Sequence, residues 1–90
     1  MSARAARIDA ILRERLAPTA LEVLDESAAH AGHAGAASGG GHFFVRIVST
    51  EFRGKSRIER HREVYRALGD LFPREVHALA IEALAPEEAA

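Results

Sequence analysis

The sequence has no cysteine among its 90 residues. No disulfide can hold the fold, and no thiolate of its own can act as nucleophile or soft metal ligand. Soft-metal chemistry must therefore use histidine or borrow sulfur from another molecule. Long apolar stretches are missing too, and none approaches the ~20 residues needed to span a bilayer. The opening MSARAARIDAILRERL is charged and helix-patterned, unlike a signal peptide with an apolar centre and a small-residue cleavage site. Its basic start faintly resembles an organelle transit peptide, but Asp9 and Glu14 argue against that, and a cytoplasmic protein is expected. An excess of one charge is absent, with 12 Lys and Arg against 13 Asp and Glu. The chain as a whole is then not a polyanion binder. Its length allows one modest core over 1–90 and little room for a deep cleft. With no nucleotide loop and no nucleophile paired to a base, an enzyme is not expected. Asp25 and Glu26 beside the histidines are the weak case for acid–base catalysis.

What is present reads as helix, strand, strand, helix, strand. Ile8, Ile11, Leu12 and Leu16 fall at helical spacing, and Pro18 marks the stop. In residues 20–27, Leu21 and Val23 alternate with Glu22, as in a strand with one buried face. Residues 28–41 are rich in Ala and Gly and read as a long flexible loop. Residues 42–49 (HFFVRIVS) are the clearest strand, with Phe43, Val45 and Ile47 on one face. Ser56 with Glu59 fits a capping box opening the second helix. Ile58, His61, Tyr65, Leu68 and Phe72 trace its inner face, widened by Val64 and Leu71, and Pro73 ends it. Residues 76–84 form the third strand, with His77, Leu79 and Ile81 on one side. Residues 86–90 read as a frayed tail. Strands 1 and 2 make an antiparallel hairpin. Strand 2, helix 2 and strand 3 make a right-handed βαβ unit. The expected class is α+β: an αββαβ domain whose three-stranded mixed sheet is covered by helices on one face.

That topology gathers histidines. Parallel strands start at the same end of a sheet. Strand 2 starts where the long loop delivers it, and strand 3 starts near His77. The loop residues His30 and His33 therefore lie at the same end as His77, with His42 close by. Each residue also has a plainer reading. His30 and His33 can be solvated loop residues. His77 alone would more often be a half-buried strand histidine bonded to a carbonyl, and His42 can simply begin a strand. His61 is expected to be structural, packed on the sheet with a satisfied N–H.

Five blocks occur in order: DESAAH at Asp25–His30, HFFVRIVS at His42–Ser49, FRGKS at Phe52–Ser56, RHREVY at Arg60–Tyr65 and VHAL at Val76–Leu79. Together they resemble the BolA family over nearly the whole chain. The resemblance implies an αββαβ fold similar to a class II KH domain, with a short helical turn before the last strand. It also implies a complex with a monothiol glutaredoxin that shares a [2Fe–2S] cluster. The implied ligands on this side are His30 and His77, with His33 as an extra candidate. The remaining sulfur would come from a glutaredoxin cysteine and glutathione. Two imidazoles on one iron resemble Rieske ligation, which raises the reduction potential. Histidine must be neutral to ligate, so acid should loosen the cluster. Two such histidines would also bind zinc weakly.

The rival class is a DNA-binding regulator. Arg53, Lys55, Arg57, Arg60, Arg62 and Arg66 are half of the 12 basic residues. Arg53, Lys55, Arg57 and Arg60 are the candidate phosphate contacts, because the FRGKS turn leads into a helix N-terminus. The plainer reading is a solvated helix face with internal ion pairs. Alone, the protein is expected to be a monomer or weak homodimer.

Overall fold

The computed structural model describes residues 2–27 and 41–89. Helix α1 (Ala3–Leu16) begins where the Ser2 hydroxyl accepts the Ala5 N–H at 3.1 Å. Ala5, Ile8, Leu12 and Leu16 recur every three or four residues, and all four are buried. The helix stops at Ala17, which takes a left-handed φ of 43°. Pro18 follows and disfavours a right-handed helical residue before it.

Strands β1 (Ala20–Asp25), β2 (Gly41–Val48) and β3 (Val76–Leu84) form one sheet in the order β1-β2-β3. β1 pairs antiparallel with β2, and β3 pairs parallel with β2. The register aligns Val23, Val45 and Ile81 on one face, and Leu21, Ile47 and Ala83 beside them. Phe43, Val45 and Ile47 are essentially inaccessible and join the α1 residues in a single core. The opposite face carries Glu22, Leu24, Phe44, Arg46, Ala80 and Glu82. The Arg46 guanidinium there donates to Glu82 of the neighbouring strand at 2.6 Å.

After β2, buried Ser49 ties the chain back: its hydroxyl donates to the Leu16 carbonyl at 2.6 Å and accepts the Glu51 N–H at 3.1 Å. A 3-10 turn (Thr50–Phe52) follows, and its Phe52 is fully buried. Helix α2 (Arg57–Ala67) opens with the expected capping box, in which Ser56 and Glu59 satisfy each other's backbone N–H. Its buried face differs from the sequence reading. Val64, Ala67 and Leu68 enter the core, while Ile58 is 64% and Tyr65 42% exposed. Two apolar lines run along this helix. Arg15 of α1 donates to the Ala67 carbonyl at 2.7 Å, which accompanies the packing of the Val64–Ala67 side. Tyr65 instead packs its ring on Phe72 at 5.1 Å.

The short turn before the last strand is present as Gly69–Leu71. The segment read as a tail contains a further short helix, α3 (Pro86–Ala89). Proline suits the first helical position, and Glu87 and Glu88 suit the first turn. Among the described residues, no helix is long and apolar enough to cross a membrane.

Candidate functional site

Two places on the molecule gather the sequence candidates. The first is the end of the sheet where β2 and β3 begin. His42 and His77 meet there, with ring centroids 5.4 Å apart and planes tilted by 46°. His42 is half-buried and His77 exposed. A backbone irregularity produces this contact. Gly41 pairs with Val76, but His42 pairs with Ala78, so β3 carries one extra residue at this point. That residue is His77. A bulge of this kind re-aims a side chain. His77 therefore does not share the buried side of Leu79 and Ile81, as strict alternation would require. It turns toward the open face and reaches His42.

The mouth of the long loop lies at the same place. The Glu26 N–H donates to the His42 carbonyl at 2.7 Å. The His42 N–H donates to the Ser27 hydroxyl at 3.1 Å. Gly41 is required by close packing: an added Cβ would lie 2.5 Å from the Phe43 ring and 3.0 Å from the Ser27 hydroxyl. Asp25 accepts the Ser27 N–H at 2.9 Å. Its carboxyl is held below the ordinary carboxylate range, first by the Ser2 hydroxyl and then by Ser27. His30 and His33 lie outside the described residues. Among those that are described, no group of three or more His, Asp or Glu side chains could enclose a metal. His42 and His77 supply two imidazoles and no thiolate, and by themselves they do not form a complete metal cage.

The second place is a groove of about 570 Å³ between α2 and the free edge of β3. Lys55, Arg57, Arg60 and His61 line it, together with Phe44, Ile81 and the carboxylates Glu82 and Glu88. Three of the four basic candidates already have internal carboxylate partners. Arg53 pairs with Glu87 at 2.8 Å, Lys55 with Glu63, and Arg60 with Glu88 at 2.6 Å. Arg57 has no carboxylate partner among the described residues. Arg60 is the most enclosed, its side chain only 12% exposed. Its Nε donates to the Lys55 carbonyl at 2.9 Å, and its Nη1 to the Ala83 carbonyl on the free β3 edge at 3.1 Å. Tyr65 covers the same edge, its hydroxyl donating to the Leu79 carbonyl at 3.3 Å. The Glu87 and Glu88 carboxyls are both held below their ordinary values, by hydrogen bonds from Arg53 and Arg60 respectively. His61 is half-buried beside this groove and has no hydrogen-bond partner among the described residues. The satisfied N–H expected for it is not supplied by those residues.

His42 is the residue that sequence reading placed nearby without giving it a role. The signal was available: it opens β2, the strand that β3 must start beside. The bulge that turns His77 toward it left no trace in the local sequence.

Comparison with known proteins agrees with this architecture. The family described as BolA-like protein matches residues 12–88. SufE-like protein 1 of Arabidopsis thaliana, named as chloroplastic/mitochondrial, is 43% identical over 98% of this chain and 25% of its own length. The solved BolA domain of that protein superposes with a TM-score of 0.85, covering 98% of each chain. BolA-like protein 1 of Mus musculus is 43% identical over 92% of this chain and 58% of its own length. Its solution structure gives a TM-score of 0.80, covering 98% of this chain and 69% of that one. A protein of Escherichia coli named DNA-binding transcriptional regulator BolA is 43% identical over 83% of this chain and 69% of its own. The chain thus spans a quarter of the plant relative and under two thirds of the mouse one.

Proposed function

The chain belongs to the BolA-like family, and from that premise we propose that it co-ligates a [2Fe–2S] cluster with a monothiol glutaredoxin, in iron–sulfur cluster trafficking or iron regulation. The observation that carries this reading is the His42–His77 contact beside the loop mouth. His77 presents its imidazole on the open face of the sheet, and the His42 ring limits its rotation. His30 follows Ser27 by three residues, which reach at most about 11 Å when extended. Leu24, Phe44, Ala78 and Ala80 lie alongside and offer a partner a mainly apolar seat. The chain has no sulfur donor to complete the ligand set, so a glutaredoxin cysteine and glutathione would supply it. The bound cluster would store and pass electrons or iron. The chain's own part is to hold the imidazoles in place.

This is a binding role and not an enzymatic one. The Ser49 hydroxyl is buried and donates to a backbone carbonyl. We keep a cytoplasmic location as the reading, and fractionation of tagged protein tests it. Co-expression with a monothiol glutaredoxin should yield a coloured heterodimer whose [2Fe–2S] spectrum differs from that of the glutaredoxin homodimer. His77→Ala and His30→Ala should each shorten the cluster lifetime without unfolding the protein. An unchanged spectrum and lifetime in the double variant would remove the ligand assignment. A retained cluster in the His30 variant alone would move the loop ligand to His33.

A second reading, nucleic-acid binding, draws on the basic groove and on the name of the Escherichia coli relative. Arg57, in the first turn of α2, is the cation without an internal carboxylate. Salt separates the two readings. Phosphate contacts lose affinity linearly with log salt, by about 0.7 per contact on a single strand. Cluster sharing should not follow that slope.

A further inference from the structure

We infer that the short acidic helix α3 is a built-in mask over two guanidiniums, Arg60 within the groove and Arg53 outside its lining, competing with phosphodiester ligands for both. The inference rests on the second reading above and adds a regulation to it. Two adjacent carboxylates of α3 each take one guanidinium. Glu87 accepts the Arg53 Nε through both oxygens, at 2.9 and 3.1 Å. Glu88 accepts Arg60 Nη1 at 2.6 Å and Nη2 at 3.4 Å. A forked pairing of this kind is the geometry in which a guanidinium also takes phosphate. The tail therefore fills the donor positions that a phosphodiester would need.

The fastening is local and light. α3 has four residues and none is buried. It is held by the two ion pairs, by the half-buried Pro86 and Ala89, and by a reciprocal pair of bonds in which the Ala85 N–H donates to Glu88 Oε1 at 2.6 Å and the Glu88 N–H to the Ala85 carbonyl at 3.0 Å. The Glu87 carboxylate is largely exposed, where ion pairs are weak and screened by salt, and that of Glu88 is about half exposed. Arg60, by contrast, also donates to the Lys55 and Ala83 carbonyls, two bonds that do not involve α3. Release of the tail would thus expose a preset guanidinium and leave the helix in place. The apparent neutrality of the chain conceals this: the acidic residues 87 and 88 cancel the basic residues 53 and 60 by folding onto them.

The test is anisotropy of a labelled 20-nucleotide single-stranded DNA at several salt concentrations. The Glu87→Gln/Glu88→Gln variant keeps an amide oxygen for the Ala85 cap but loses the charge. A control, Glu14→Gln/Asp70→Asn, makes the same charge change at two exposed positions elsewhere. The tail variant should bind about tenfold tighter than the parent and clearly tighter than the control. Its salt slope should steepen by about 1.4, for two phosphate contacts regained at 0.7 each. Adding Arg53→Gln to the tail variant should take back about half of the logarithmic gain. Equal gains in tail variant and control, with DNA bound by all, would overturn the mask and leave the nucleic-acid reading standing. No DNA binding by any variant would overturn that reading and the mask with it. A gain confined to polyglutamate in a parallel titration would assign the groove to an acidic protein partner, against the proposal.

Discussion

The histidine edge and the arginine groove sit on one small domain, yet they are finished in opposite ways. At the groove, Arg53, Lys55 and Arg60 each hold a carboxylate of the same chain. At the edge, an exposed imidazole leans on another imidazole, with no surrounding group able to enclose a metal among the described residues. Charge density in the sequence points to the groove. Internal satisfaction points the other way. A guanidinium already forked onto a carboxylate must lose that partner before it binds another, whereas His77 needs only a ligand.

Substitutions at four positions can break or sharpen that contrast, beginning with the largest expected effect. His77→Ala should shorten the lifetime of the shared cluster by at least about tenfold, read from the decay of visible absorption. Even support residues of a metal site are worth about 10–100-fold. Its stability should stay within about 0.5 kcal/mol of the parent, as for other exposed positions. A large stability loss would recast His77 as structural. Gly41→Ala drives a Cβ against the Phe43 ring and the loop mouth. It should cost about 1–3 kcal/mol in urea unfolding, the usual range for overpacking. A neutral result would mean that the loop mouth is looser than its hydrogen bonds imply.

His42→Ala should weaken the cluster less than His77→Ala, and His42→Phe should restore part of the loss by restoring the ring contact. Equal losses in the Ala and Phe variants would make His42 a ligand and not a support. Asp25→Asn is the smallest test. The folded carboxyl of Asp25 lies below its ordinary value because Ser2 and Ser27 donate to it. The native state then binds fewer protons than the unfolded chain near pH 4. Its stabilisation is complete above the unfolded value of about 3.9 and fades as pH falls through the lower folded value. Urea midpoints between pH 2 and 6 should show a shallower slope in the Asn variant. Glu87 and Glu88 are lowered in the same direction by Arg53 and Arg60, so the tail should detach over the same acidic window.

The order of elements was readable because each strand and helix writes its period locally. Phe43, Val45 and Ile47 alternate, Ile8, Leu12 and Leu16 recur on a helical face, and Ser56 with Glu59 announces a cap. The meeting of β2 and β3 at one end followed from connectivity alone. What the sequence hid are relations between distant residues. The extra residue at His77 exists only with respect to the pairing of Gly41 and His42. Val64, Leu68 and Leu71 were placed correctly on the inner face, but Ile58 and Tyr65 were misassigned to it because they make as good an apolar line as Val64 and Ala67. Only the packed neighbours choose between them. The tail looked unstructured because its support comes from Arg53 and Arg60, more than twenty residues upstream. His30 and His33 lie outside the described residues.

The most direct measurement is a titration of this protein into cluster-loaded monothiol glutaredoxin, followed by visible absorption and circular dichroism. Parent protein should convert the spectrum to a new form that saturates at one chain per glutaredoxin, while the His30→Ala/His77→Ala variant should leave it unchanged. Identical conversion by parent and variant would contradict the account.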